Sequence, residues 1–146
     1  LAAAAVQIPI VAAGGIATGR GITAAFTLGA SGVQIGTAFL ACEQSGASAL
    51  HRAQLFSPAA AETGLTRAFT GRLARGIRNR YMDEIPGSCG DFAPYPQQGN
   101  FTSPLRHSAR QQGCADFMAL WAGQIAPIIT HHHAAELMAT LISEMT

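Results

Sequence analysis

Two short apolar runs, each closed by glycine, set the strongest limit on how this chain can fold. The first is Val6-Gln7-Ile8-Pro9-Ile10-Val11-Ala12, which stops at Gly14-Gly15; the second is Gly32-Val33-Gln34-Ile35, which stops at Gly36-Thr37. Few polar residues alternate within them, as in strands buried on both faces of a parallel sheet. Pro9 cannot donate to a ladder, so it marks the first residues of its strand. Between the runs, Arg20 to Leu28 predicts a helix with Ile22, Ala25, Phe26 and Leu28 on its apolar side, and Gly29 stops it. Another helix is expected over Ala38 to Cys42. Strand, helix and strand in so short a span form a βαβ unit, a parallel pair joined by a right-handed crossover. Both glycine-rich turns then fall at the C-terminal ends of their strands, where α/β proteins place ligands.

Composition excludes several function classes. The 146 residues carry a formal net charge of +1, with 49% apolar and 12% charged residues. That supports one modest core and argues against a protein built to bind nucleic acid. No stretch is apolar enough for a membrane span, so a cytoplasmic location is expected. All nine basic residues are Arg, which removes P-loop and Schiff-base lysine chemistry from this chain. Cys42, Cys89 and Cys114 are far apart and odd in number, and read as reduced thiols rather than a zinc or disulfide framework. The chain opens on a strand without an initiator Met, so we expect it to be the C-terminal part of a longer protein.

Beyond residue 45 the pattern changes. Ser48–Leu55 and Ala59–Thr63 predict helices, and Thr66–Thr70 a short strand. Gly71–Arg80 is an Arg-studded segment. Residues 85–104, rich in Pro, Gly, Ser and Asn, read as a loop or linker. Helices are expected over Pro104–Gln112, Ala115–Ile125 and His133–Met145, the last capped by Thr130. No internal repeat is visible.

The two glycine turns carry the chemistry. Phosphate binding by main chain needs amides free of a crowding Cβ, near a helix N-terminus. Neighbouring parallel strands that both end this way can hold one phosphate between them, as barrels do after their last two strands. The bland alternative, that these glycines only make tight turns, suits one pair better than two in this order. Other motifs carry less. Gly19-Arg20-Gly21-Ile22-Thr23-Ala24 matches a dinucleotide string but sits too far past its strand, and only Glu43 follows at about the required distance. Arg67, Arg72, Arg75, Arg78 and Arg80 read as surface cations pairing with Asp83, Glu84 and Asp91 rather than as a cofactor or RNA contact. His131, His132 and His133 point about 100° apart if helical and cannot easily close one metal site. Trp121 lies on an expected helical stripe and reads as core rather than flavin-stacking. Cys42 has no sequence-adjacent His to make it a nucleophile.

The run from Pro9 to Gly21 (PIVAAGGIATGRG), with Leu28 to Leu40 (LGASGVQIGTAFL), resembles the nitronate monooxygenase family, formerly 2-nitropropane dioxygenases. The likeness continues through Phe69-Thr70-Gly71-Arg72, Ala74 to Arg80, Tyr95-Pro96, Leu120-Trp121-Ala122-Gly123-Gln124 and Ala134-Ala135-Glu136-Leu137. The first block is shared with flavin-dependent enoyl-acyl carrier protein reductases. The resemblance implies an α/β fold, the C-terminal portion of an FMN-binding (β/α)8 TIM barrel, holding its last two βα units with a mostly helical extension. A whole barrel takes about 250 residues, so roughly six βα units would lie upstream. The expected division is 1–65 for the barrel units, 66–112 for the Arg-rich segment and linker, and 113–146 for C-terminal helices.

By the same resemblance, Gly15 contacts FMN through its backbone, beside Gly14, while Gln34, Ile35, Gly36 and Thr37 wrap the FMN phosphate. Two departures stand out: Ala38-Phe39 where many relatives have Arg-Phe, and the His triplet where relatives carry a Leu-Pro-like turn. The family's active-site histidine lies upstream of residue 1, so no catalytic residue and no metal ligand is assigned here. The implied activity is FMN-dependent oxidation of an alkyl nitronate with O2 to a carbonyl compound and nitrite. The implied partners are a small-molecule substrate and O2, with no nucleic acid or membrane, and a homo-oligomer is compatible. The alternatives are an enoyl-acyl carrier protein reductase-like enzyme using NAD(P)H, or a catalytically inactive fragment.

Overall fold

The structure, a computed structural model, describes residues 2–85 and 92–145. Cys89 and Asp91 lie outside those residues. A one-turn helix α1 (Ala2–Ala5) precedes strand β1 (Val11–Ala13), helix α2 (Gly19–Thr27), strand β2 (Gly32–Gln34) and the short α3 (Thr37–Leu40). Strands β1 and β2 pair in parallel, with Val11 opposite Gly32 and Ala13 opposite Gln34, which is the expected βαβ unit. Thr18 starts α2 by accepting from the Gly21 amide (3.1 Å), and Gly29, at φ +95°, ends it in a conformation that suits glycine.

The first strand is shorter than the run Val6–Ala12. Its partner begins only at Gly32, and the Ser31 and Gly32 amides both donate to the Ile10 carbonyl, so residues before Ile10 find no ladder. Pro9 would break one in any case. Among the described residues β1 pairs with β2 alone, and Val11 is 60% exposed.

Most of the described residues between Ala49 and Ile129 form a second layer. It contains α4 (Ala49–Leu55), a 3-10 turn (Pro58–Ala61), β3 (Thr63–Thr66), β4 (Ala74–Ile77), α5 (Arg80–Glu84), α6 (Gln97–Gln111) and 3-10 turns at Ala115–Phe117 and Ala126–Ile128. Strands β3 and β4 are antiparallel, so the strand expected over Thr66–Thr70 lies earlier and is paired with part of the Arg-rich segment. The loop expected over 85–104 holds the first half of α6. That helix accommodates Pro104, and in the turn before it the Gly99 carbonyl accepts from Arg106 Nη2 (2.8 Å).

No helix spans Ala115–Ile125. After its single 3-10 turn the chain extends, and Trp121 bridges Gly76 of β4. The Ile77 amide donates to the Leu120 carbonyl (2.8 Å) and the Ala122 amide to the Arg75 carbonyl (3.2 Å). Gly76 is required there, since a Cβ would sit 2.8 Å from the Leu120 oxygen. Asn79 adds a clamp: its Nδ2 donates to the Ala115 and Met118 carbonyls, while its Oδ1 caps α5.

The last helix, α7 (Ala134–Ser143), returns to the first layer. Leu137 and Leu141 bury against Ile22, Ala38 and Cys42. The approach is close: a Cβ on Gly19 would lie 2.3 Å from the Leu141 oxygen. The Gly19 amide donates to Glu144 Oε2 (2.7 Å). His133, not Thr130, is the residue that precedes α7.

Candidate functional site

The parallel register brings the two glycine turns together. Ala13 and Gln34 are partners, so Gly14-Gly15 and Ile35-Gly36-Thr37 leave the same end of the sheet about one strand spacing, roughly 5 Å, apart. Gly14 and Gly15 adopt φ +89° and +72°, which disfavours any residue with a Cβ. No atom lies within 4 Å of where a Cβ would stand on Gly14, Gly15 or Gly36. All three are exposed, and the loops carry no acidic side chain. The residues therefore fit a phosphate held by main-chain amides.

The two turns contribute differently. The start of α2 is occupied within the chain, because Glu144 takes the Gly19 amide and Thr18 takes those of Gly21 and Ile22. The first turn therefore offers the Gly14-Gly15 backbone itself, not the helix behind it. At the second turn, Gly36 precedes α3 with no side-chain cap, and the Thr37 and Ala38 amides have no acceptor within the helix. Gln34 is exposed, whereas Ile35 is half-buried and packs against the α2–α7 core. Thr37 is anchored: its Oγ1 accepts from the Gly123 amide (2.9 Å), leaving its hydroxyl proton free to donate. An open cleft of about 340 Å³ adjoins this turn, lined by Gly36, Thr37, Arg75 and Trp121 among others.

Other sequence candidates disperse. Arg78 pairs with Asp83 and Arg80 with Glu84. Arg72 lies over the Tyr95 ring, 4.6 Å from its centroid, and Arg75 donates to Thr63. The three histidines turn to different partners: His131 to Thr140 and Thr130, His132 stacked on Phe56, and His133 beside Glu43. Among the described residues no His, Cys, Asp and Glu side chains cluster as metal ligands. Cys42 is buried, and burial pushes its thiol pKa up, so it stays protonated. Trp121 packs edge-on to Phe69 at 5.7 Å, from an extended segment rather than a helical stripe.

Sequence reasoning missed His51. It is buried, its Nε2 lies 3.0 Å from the Trp121 carbonyl oxygen, and it lines a second cleft of about 330 Å³. Burial pushes its pKa down, against the smaller upward pull of that hydrogen bond, so the neutral imidazole donates from Nε2. Its carbonyl partner lies 70 residues away, and nothing local announces the contact.

A profile of the nitronate monooxygenase family matches residues 1–144. The chain belongs to that family. It is 42% identical over 140 residues to a probable nitronate monooxygenase of Staphylococcus aureus (strain Newman), covering 96% of this chain and 39% of the relative. A solved nitroalkane oxidase from Streptomyces ansochromogenes superposes with TM-score 0.90 at 46% identity, covering 97% of this chain and 40% of that one. FabK from Thermotoga maritima superposes with TM-score 0.77 at 30% identity, over 98% and 46%. The chain thus spans about two fifths of the length of the Staphylococcus aureus and Streptomyces ansochromogenes proteins. Its fold is the α/β C-terminal portion of a TIM barrel with a mostly helical extension. Among the described residues no helix is long and apolar enough to cross a membrane.

Proposed function

We propose that this chain supplies the flavin-phosphate cradle of an FMN-dependent oxidoreductase that oxidises alkyl nitronates with O2 to a carbonyl compound and nitrite. One observation carries the reading: Gly14-Gly15 and Gly36 stand side by side at the same sheet end, with nothing where side chains would crowd the main chain. Family membership over residues 1–144 supports the chemistry. FMN, when bound, supplies the electron relay between nitronate and O2. The residues here do the holding. The Gly15 backbone contacts the cofactor beside Gly14, Gln34 and Ile35 lead into the turn, and Gly36 and Thr37 present donors to the phosphate. Thr37 is kept in place by Gly123, which ties the cradle to the second layer. The proton-abstracting base comes from outside this chain, and the proposed setting is a cytoplasmic enzyme without nucleic-acid or membrane partners.

The test replaces the matched stretch of the Staphylococcus aureus relative with this chain and assays the chimera. O2 uptake with nitrite release from an alkyl nitronate is the expected result. Turnover of an enoyl thioester that needs NAD(P)H and releases no nitrite would overturn the substrate assignment while keeping the cradle.

A further inference from the structure

The 330 Å³ cleft around His51 shares Leu40 and Trp121 with the cleft at the Gly36 turn, but its polar groups are its own. Two guanidinium groups, Arg106 and Arg110, line it from one face of α6, and no carboxylate does. Positions i and i+4 on a helix are neighbours, so like charges there repel. Arg106 is fixed in place: its Nε donates to Thr102 Oγ1 (3.2 Å) and its Nη2 to the Gly99 carbonyl (2.8 Å). Its Nη1, and the whole Arg110 guanidinium, take no protein acceptor among the described residues. Ser48 Oγ accepts from the His51 amide (3.2 Å), so its hydroxyl proton is also free to donate. His51 is held neutral by burial and commits its Nε2 proton to the Trp121 carbonyl. Leu40, Met118 and Trp121 add apolar surface to the lining.

A positioned guanidinium, a second one unpaired, a free hydroxyl and apolar surface make an amphipathic anion site. A cleft of this size lies at the lower end of the range for small-molecule sites. The free donors exceed what one carboxylate can accept, and suit the oxygens of a phosphate monoester. We propose that this cleft binds a phosphate monoester bearing a short apolar group, the phosphate between Arg106, Arg110 and Ser48 and the apolar group against Leu40 and Trp121. The site is distinct from the flavin cradle, which uses Gly14, Gly15, Gly36 and Thr37.

The test titrates the whole chain, carried in the Staphylococcus aureus relative as above, by isothermal calorimetry, with folding followed by its thermal melt. The probes are butyl phosphate, inorganic phosphate and butyrate. Butyl phosphate is expected to bind more tightly than either of the others. Arg110→Glu, an exposed change that leaves the melt unaltered, should weaken butyl phosphate at least about tenfold, as loss of charge-assisted hydrogen bonds does. Arg106→Gln should act in the same direction. No binding by the folded protein, binding unchanged in Arg110→Glu, or butyrate binding as tightly as butyl phosphate would each overturn the proposal. Bound flavin is read on the same samples. A protein lacking flavin that still binds butyl phosphate through Arg110 would refute the cradle and leave this site standing.

Discussion

Gly15 and Gly36 respond to substitution for different reasons. Gly15 sits at φ +72°, so Gly15→Val strains the backbone and should lower stability by about 1–2 kcal/mol. Gly36 has φ −98° and ψ −70° with open space around it. Gly36→Leu should therefore change stability by no more than about 0.5 kcal/mol in urea denaturation. Thr37→Val removes the acceptor for the Gly123 amide and should cost about 1 kcal/mol, while Thr37→Ser should restore most of it. His51 gives a pH signature. Burial lowers its pKa in the folded state below the ordinary 6.5, so on acidification the unfolded chain takes up the proton first. Its contribution to stability is present above the unfolded value and lost as pH falls below it. The thermal midpoint should fall between about pH 7 and pH 5, and His51→Gln, which keeps a donor for Trp121, should flatten that fall. The glycine turns were legible in the sequence because a strand followed by Gly-Gly has a local meaning. His51 was not, because its burial and its carbonyl partner, 70 residues away, exist only once the second layer folds onto itself.

At the scale of elements, α2 was legible nearly to the residue because Gly29 stops it, while the Thr18 cap that fixes its start shows in the structure. The segment 115–125 was not. Phe117, Leu120, Trp121 and Ile125 recur at helical spacing, yet Gly76 offers a bare edge on which Leu120–Ala122 pairs as extended chain. A tertiary hydrogen-bonding partner outweighs a weak local preference. The first half of α6 was hidden for the opposite reason: its polar, proline-containing sequence suits a loop, and long-range contacts such as Thr102 Oγ1 donating to the Phe69 carbonyl hold it as a helix. The contact between α2 and α7 is the most sensitive joint. Gly19→Ala drives a methyl into the Leu141 carbonyl and the Glu144 side chain and should cost about 1–3 kcal/mol, read as a shift in the urea midpoint.

For the whole molecule, the parallel β1–β2 pair, with α2 and α7 packed together behind it, presents the two turns on one end, while the second layer is tied back to that end through Thr37 and Gly123. Family and fold class followed from sequence because motifs spread from Pro9 to Leu137 survive as strings. The path of residues 41–129 did not, since it depends on pairings across long sequence separations. The central claim is that the Gly14-Gly15 and Gly36-Thr37 turns hold the phosphate end of a flavin through the main chain. It is tested most directly by the bound-FMN stoichiometry of the chain carried in its Staphylococcus aureus relative, with and without Gly36→Leu. We predict FMN retention in the parent chimera and its loss in Gly36→Leu, with the two flavin-stripped proteins melting at the same temperature. Equal FMN content in the two proteins would contradict it.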